Sequence, residues 1–132
     1  PPRDYATGET AAILNSWKEH IVCVRGKCDS EVDGMVLKFP VTAAFALLPE
    51  GGRTLILTHG HNEYAHLSKN DVLVCGHFHV PAFEQRENCL YVNCGSVSIP
   101  KENSPHSYLV LDENVLTWKD VETGVPFRTA QL

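Results

Sequence analysis

The feature that most constrains this sequence is a pair of similar units, each an apolar run that ends in two histidines. The first unit ends in His59-Gly60-His61 and the second in His77-Phe78-His79. Short apolar runs without polar alternation are typical of strands that are buried on both faces. Because ligand sites in α/β sheets gather at the carboxyl ends of the strands, both histidine pairs are expected at one edge of a sheet.

The spacing within each pair favours a shared direction for the two imidazoles, because residues i and i+2 of an extended chain point to the same face. Neutral imidazole is the commonest protein ligand for ions such as zinc and also serves manganese-like ions. One isolated histidine at a strand end would usually be only a polar loop residue, but two pairs favour a metal site. His20, His66 and His106 stand alone and are predicted to be surface residues.

The rest of the chain alternates between helical and strand-like patterns. The spacing of Ala11, Leu14 and Trp17 predicts a helix over residues 9–18 with one buried stripe. A strand buried on both faces is predicted at Ile21–Val24, and a short helix at Glu63–Lys69. Further strands are predicted at 43–48, 82–86, 89–93, 107–111 and 115–118, with a turn at 49–52.

Length and charge restrict the class of protein. With 132 residues the chain has the size of a single domain, 1–132. The net charge of −5 and the lack of a Lys/Arg stripe argue against a nucleic-acid partner. No apolar run approaches the roughly 20 residues that span a membrane. Five cysteines, an odd number without C-x-x-C spacing, predict buried reduced thiols at Cys23, Cys75 and Cys89 and therefore a cytoplasmic protein.

Two loops after predicted strands add polar groups to the expected site. Gly26-Lys27-Cys28-Asp29 follows the strand at Ile21–Val24 and contributes one carboxylate. The run Asn93–Ser98 follows another strand and is predicted to bind an anion through its backbone N–H groups. Phosphate chemistry at a metal site needs such oxygen ligands and anion contacts in addition to imidazoles.

Together these stretches resemble the calcineurin-like metallophosphoesterases, in particular their small bacterial phosphodiesterases. The G-H-x-H element at Gly76–His79 and the N-x-G-S-x-S-x-P element at Asn93–Pro100 carry the resemblance, which covers essentially the whole chain. It implies an α/β fold of the α-β-β-α type, a β-sandwich flanked by helices. It also implies two divalent metal ions, manganese first and zinc, iron or nickel as alternatives, with a metal-bridging hydroxide that attacks a small phosphodiester.

The resemblance also assigns roles to single residues. His59 and His77 resemble ligands of one metal, and His79 resembles a ligand of the other. Cys28 falls where many relatives keep a histidine that assists the leaving group or the phosphate. Lys27 and His61 are assigned to substrate binding.

Two departures from the family pattern affect the expected activity. Lys27 stands where the family has an asparagine ligand, and an ammonium group has no lone pair for a cation. The family's D-x-H and G-D motifs, which precede the helix of residues 9–18, are absent, and with them the bridging aspartate. We therefore expect an amino-terminally truncated sandwich with unpaired strand edges, which would form a homo-oligomer or a strand-swapped assembly.

Three functional hypotheses remain open. The first is a metal-dependent phosphodiesterase, with its activity in this truncated form left open. The second is a non-catalytic phosphoesterase fold that acts as a binding or structural module. The third is a mononuclear site in which His59, His77 and His79 bind one zinc-like ion.

Overall fold

The first sheet carries both histidine units. The computed structural model describes residues 5–132. Its five-stranded sheet has the order β1-β2-β3-β5-β4, in which β2 runs parallel to β3, β3 runs parallel to β5, and the two outer strands are antiparallel. The strands are β1 (Phe45–Glu50), β2 (Arg53–Thr58), β3 (Asp71–Cys75), β4 (Ala82–Gln85) and β5 (Leu90–Asn93).

A second sheet packs against the first and closes the core. Its three antiparallel strands, in the order β6-β7-β8, are β6 (Ser107–Asp112), β7 (Val115–Asp120) and β8 (Pro126–Gln131). The core is a cluster of Leu55, Val72, Leu90 and Val92 from the first sheet with Leu116 and Trp118 from the second. The Trp118 indole N–H donates to the Asn93 carbonyl over 2.8 Å, which joins the two sheets inside this core. The predicted α/β sandwich is therefore confirmed.

The helices lie in the first third of the chain, at α1 (Thr7–Ser16), α2 (Glu31–Val36) and a 3-10 turn at Lys18–His20. The predicted buried stripe of α1 is wrong except at Ala11, since Leu14 is 37% exposed and Trp17 is 61% exposed. Within residues 5–132, no strand pairs with this region to cover the apolar side of α1. No helix in the described part of the chain is long and apolar enough to cross a membrane.

Several local predictions need correction. The predicted strand at Ile21–Val24 does not form: these residues belong to neither sheet, and Val22 is exposed. No helix forms at Glu63–Lys69, where the Asp71 carboxylate accepts a hydrogen bond from the Ser68 N–H and holds a turn instead. Helix α2 and strand β8 were not predicted.

Other predictions are confirmed. The hairpins β4–β5 and β6–β7 lie within one or two residues of the predicted strands. The chain reverses between β1 and β2 at Gly51 and Gly52, whose φ angles of 56° and 81° favour glycine. All five cysteines are free; Cys75 and Cys89 are buried as predicted, whereas Cys23 is only partly buried.

Candidate metal centre

The two histidine units meet because their strands are parallel neighbours. Leu57 of β2 pairs with Val74 of β3, so both strands end at the same edge of the sheet. Immediately beyond, the Gly76 N–H donates to the His59 carbonyl over 3.0 Å and extends the alignment into the loops. This places the side chains of His59 and His77 next to each other.

The sequence predicts that His77 and His79 share one face of an extended strand, and this prediction is wrong. β3 ends at Cys75, and the next residues form a tight turn in which the Gly76 carbonyl accepts hydrogen bonds from the N–H groups of Phe78 and His79. His77 and His79 have φ angles of 25° and 62°, which non-glycine residues seldom adopt. Such strain persists only where the surroundings enforce it, and it concentrates at functional sites.

The side chain of Asn93 stabilises this turn through hydrogen bonds. Its side chain is fully buried; Nδ2 donates to the Gly76 carbonyl over 2.6 Å and to the Tyr91 hydroxyl over 3.1 Å, while Oδ1 accepts from the Gly95 N–H over 2.8 Å. Asn93 thus fixes the backbone directly before His77. The sequence pattern predicts an anion-binding loop at Asn93 and does not reveal this supporting role; the available signal is a polar residue that ends an apolar strand.

Three of the N–H groups that Asn93–Ser98 was predicted to offer to an anion are already used within the protein. The Cys94 N–H donates to the Cys75 carbonyl, and the Gly95 N–H donates to Asn93. The Ser98 N–H donates to the Ser96 hydroxyl over 3.3 Å. These donors serve the loop itself, which therefore positions the neighbouring histidines and does not hold an anion through them.

The separation of two imidazole nitrogens fits a shared metal ion. His59 Nε2 and His77 Nδ1 lie 3.1 Å apart and share a hydrogen bond when no ion lies between them. Two nitrogens bound to one ion at about 2.1 Å, with an angle of 90–110°, would be about 3.0–3.4 Å apart. The pair therefore matches two adjacent positions of a divalent coordination shell.

His79 is oriented as metal-binding histidines usually are. Its Nδ1 lies 2.6 Å from the Ile99 carbonyl, which can only accept, so Nδ1 carries the proton. Nε2 of the neutral ring is then left with a lone pair. A backbone carbonyl on the other ring nitrogen commonly fixes the tautomer of a metal ligand in this way.

Burial and neighbouring charges favour the neutral form of both paired histidines. Burial lowers the pKa of His59 first, and the charges of His77 and His61 lower it further. Partial desolvation also lowers the pKa of His77, followed by the positive charge of Lys27. Neutral imidazole is the form that binds a metal, so the electrostatic environment and the geometry agree.

The other predicted residues lie around this pair. The ring centroid of His61 lies 5.2 Å from that of His59 and 6.1 Å from that of His77, compared with 5.0 Å between His59 and His77, and its Nε2 faces the Asn62 amide. Lys27 is exposed, and its charge acts on His77. Cys28 is an exposed free thiol with no described contact to the histidines.

The described residues supply part of a metal site. Asp29 is the carboxylate that acts on His59, but its Oδ2 accepts from the Gly26 N–H over 2.6 Å. Within residues 5–132, no three His, Cys, Asp or Glu side chains surround one point where an ion would bind. This argues against the mononuclear hypothesis, in which His79 joins His59 and His77. A divalent ion here would need additional donors.

Comparison with known proteins assigns the family. The calcineurin-like phosphoesterase superfamily domain matches residues 4–115. The phosphodiesterase YfcE of Escherichia coli K12 is 46% identical over 120 residues, which cover 88% of this chain and 65% of YfcE; YfcE of E. coli O157:H7 gives the same values. The chain thus spans about two thirds of the length of these relatives.

Solved structures agree with this assignment. A structure of YfcE, a phosphoesterase from E. coli, matches 98% of this chain and 74% of its own with a TM-score of 0.90 and 40% identity. A Vps29 variant from Entamoeba histolytica, at 16% identity and a TM-score of 0.58, matches 98% of this chain and 78% of its own and supports the fold alone. The chain belongs to the calcineurin-like phosphoesterase superfamily.

Proposed function

We propose that this chain carries the histidine half of a metal-dependent phosphodiesterase site. The observation that supports this most strongly is the 3.1 Å separation of His59 Nε2 and His77 Nδ1 at the ends of parallel strands. The similarity to YfcE, which is named a phosphodiesterase, supports phosphodiesters as the substrate class. A bound divalent ion would lower the pKa of a coordinated water and offset charge on the phosphoryl oxygens.

The residues of the chain divide the work of such a site. His59 and His77 would hold one ion through neutral nitrogens, and His79, fixed by the Ile99 carbonyl, would offer Nε2 to a second. Asn93 keeps the turn that carries His77 and His79 in place. Manganese is the first choice by family, although imidazole donors also suit zinc, iron and nickel.

The positively charged groups around His59 and His77 would bind the substrate. The charges of Lys27 and Lys101 both act on His77, while the Asp29 carboxylate acts on His59, so two cations and one carboxylate lie near the pair in a chain with a net charge of −5. His61 adds a further imidazole beside this pair. An anionic phosphodiester is attracted to such a surface. We assign Cys28, beside Lys27, to the phosphate or its leaving group.

The state of the cysteine thiols indicates the cellular compartment. All five cysteines are free, including the exposed Cys28, as expected where thiols are kept reduced. We therefore propose a cytoplasmic protein. A homo-oligomer is also proposed, because apolar side chains such as Trp17, Val22 and Met35 are more than half exposed.

A second candidate is a phosphoesterase fold that binds without turnover. It is favoured by Lys27, which replaces the family's asparagine with a group that cannot coordinate a cation. The missing third donor among residues 5–132 points the same way. If Lys27 blocks an otherwise competent site, Lys27→Asn will increase manganese affinity; unchanged affinity would remove Lys27 from the explanation.

The experiment measures metal binding and hydrolysis on the same samples. Manganese and zinc binding are titrated by calorimetry, and a nitrophenyl phosphodiester is used as substrate. His77→Ala should abolish binding and any metal-dependent hydrolysis, whereas the exposed His66→Ala is the matched control and should change neither. Binding without hydrolysis in the parent chain would favour the second candidate. Parental activity in His77→Ala would refute the assigned site.

A further inference from the structure

Phe78 is a phenylalanine that lies on the surface beside the histidine pair. Its side chain is 57% exposed, although phenylalanine is usually buried in folded proteins. The centroid of its ring lies 5.0 Å from that of His77, and the two ring planes make an angle of 71°. An edge-to-face contact of this kind uses at most one face of the phenyl ring. With more than half of the side chain exposed, the other face is open to a ligand.

The backbone on both sides of Phe78 is held in place. The Phe78 N–H donates to the Gly76 carbonyl, which also accepts from the buried Asn93 side chain. After Phe78, the His79 carbonyl accepts from the Lys101 N–H over 3.1 Å. A side chain on a backbone fixed in this way loses little conformational freedom when a ligand contacts it. The phenyl ring is therefore preorganised as a contact surface.

A second exposed apolar side chain lies on the loop that orients His79. Ile99 is 46% exposed, and its carbonyl lies 2.6 Å from His79 Nδ1. The Ile99 N–H donates to the Ser96 hydroxyl over 3.0 Å, so a turn holds its backbone as well. Ligand sites combine apolar walls with a few polar groups that fix orientation. Phe78 and Ile99 provide apolar surface beside imidazoles, which suits a ligand with both an anionic and an apolar part.

The charged groups indicate where the anionic part of such a ligand would lie. Lys27 and Lys101 both act on His77, whereas Asp29 acts on the neighbouring histidine. A phosphate is therefore favoured at His77, the residue that contacts the Phe78 ring. Aromatic pairs are stable at centroid separations of about 4.5–7 Å. Since the centroids of Phe78 and His77 are 5.0 Å apart, a ring joined to that phosphate by an ester oxygen can reach Phe78.

We propose that Phe78 is a stacking platform for an aromatic ring on one ester arm of the substrate. The preferred substrates are then phosphodiesters of aromatic alcohols or nucleosides, and dialkyl phosphodiesters are poorer ligands. This inference rests on the phosphodiesterase function proposed above and adds a substrate class to it. Phe78 takes no part in the bond that breaks, because a phenyl group can neither donate nor accept a proton. Its contribution is to binding, through a π face that an alkyl ester cannot use.

The binding test uses the full chain with manganese and pairs of phosphate monoesters that differ by one aromatic group. Phenyl phosphate is compared with methyl phosphate, and adenosine 5′-monophosphate with ribose 5-phosphate, by calorimetry. Stacking on an aromatic side chain predicts that the ring strengthens binding about fivefold or more. A gain with phenyl phosphate assigns the platform to aryl esters, and a gain with the nucleotide alone assigns it to nucleosides.

Variants of Phe78 locate the side chain that is responsible for the gain. Phe78→Leu keeps an apolar side chain without a π face, so it should remove most of the gain, whereas Phe78→Tyr should retain it. Phe127→Leu is the matched control, because Phe127 on β8 is also exposed, at 42%. This control should keep the gain of the parent chain. Thermal unfolding verifies that the variants fold.

Nuclear magnetic resonance provides a second readout on the unsubstituted chain. Zinc replaces manganese here, because zinc is diamagnetic, and the chain carries isotope-labelled phenylalanine. The ring resonances of Phe78 are identified by their absence from Phe78→Tyr. They should shift much further with the ester that carries a ring than with the ester that lacks one. This measurement decides the question if Phe78→Leu does not fold.

Two outcomes would overturn the stacking platform. Equal affinities within both pairs of esters would do so and would leave the phosphodiesterase function standing. A gain that survives in Phe78→Leu, with no shift of the Phe78 resonances, would place the aromatic ring elsewhere. Binding of none of the esters would instead refute the phosphate site itself, and the platform with it.

Discussion

Removal of the Asn93 side chain tests how the fold supports the metal centre. Its amide makes three hydrogen bonds to Gly76, Tyr91 and Gly95 in a fully buried position. Each is worth about 1 kcal/mol net, and the orphaned carbonyl and N–H groups add a desolvation cost. Asn93→Ala should therefore lower the free energy of unfolding by about 3 kcal/mol or more, a large part of the 5–15 kcal/mol typical of a domain.

A matched control separates burial from the number of hydrogen bonds. The Asn15 side chain also bridges two backbone groups, since it donates to the Val36 carbonyl over 3.0 Å and accepts from the Lys38 N–H over 2.7 Å. These bonds are exposed, so water can replace them, and Asn15→Ala should cost about 1 kcal/mol. Urea unfolding followed by circular dichroism measures both variants. Equal losses, or a loss below about 1 kcal/mol for Asn93→Ala, would refute the supporting role of Asn93.

Three further predictions concern packing, thiols and pH. Gly95→Ala should lower the melting temperature much more than Gly124→Ala. Both glycines have positive φ, but an added Cβ at position 95 would overlap the Ser107 hydroxyl, whereas nothing lies within 4 Å of one at position 124. Exposed Cys28 should react with a thiol reagent well before buried Cys75, whose pKa burial raises; equal rates would contradict the packing of β3. Burial raises the pKa of Tyr91 to about 12 from 10, so its contribution to stability is present below pH 10 and is lost as pH rises towards 12; flat unfolding free energies over that range would contradict its burial.

The strands that surround the site were predictable because their signals are local. The apolar runs that became β2 and β3 carry uninterrupted branched residues, and the turn residues at both ends set their limits. The shared edge was predictable from the general tendency of ligand sites to lie at the carboxyl ends of strands. The parallel pairing of β2 and β3 then brings His59 and His77 together. The motif resemblance then extended this to the whole domain.

The failures share one physical cause, which is that they depend on contacts between distant segments. Trp17 was expected to be buried because the helical spacing is correct, but burial requires a partner element that residues 5–132 do not place over it. Ile21–Val24 has the composition of a strand without a neighbour to pair with. The left-handed turn at His77 and His79 depends on Asn93, sixteen residues after His77, and no local pattern reports such a contact.

The most direct test of the metal centre is to locate the ion itself. Crystals grown with manganese are measured near the manganese absorption edge, and the anomalous difference map is compared with the histidine positions. The proposed site predicts a peak about 2.0–2.3 Å from both His59 Nε2 and His77 Nδ1. A peak elsewhere, or no peak with the two rings still hydrogen-bonded to each other, would contradict a metal site at the ends of β2 and β3.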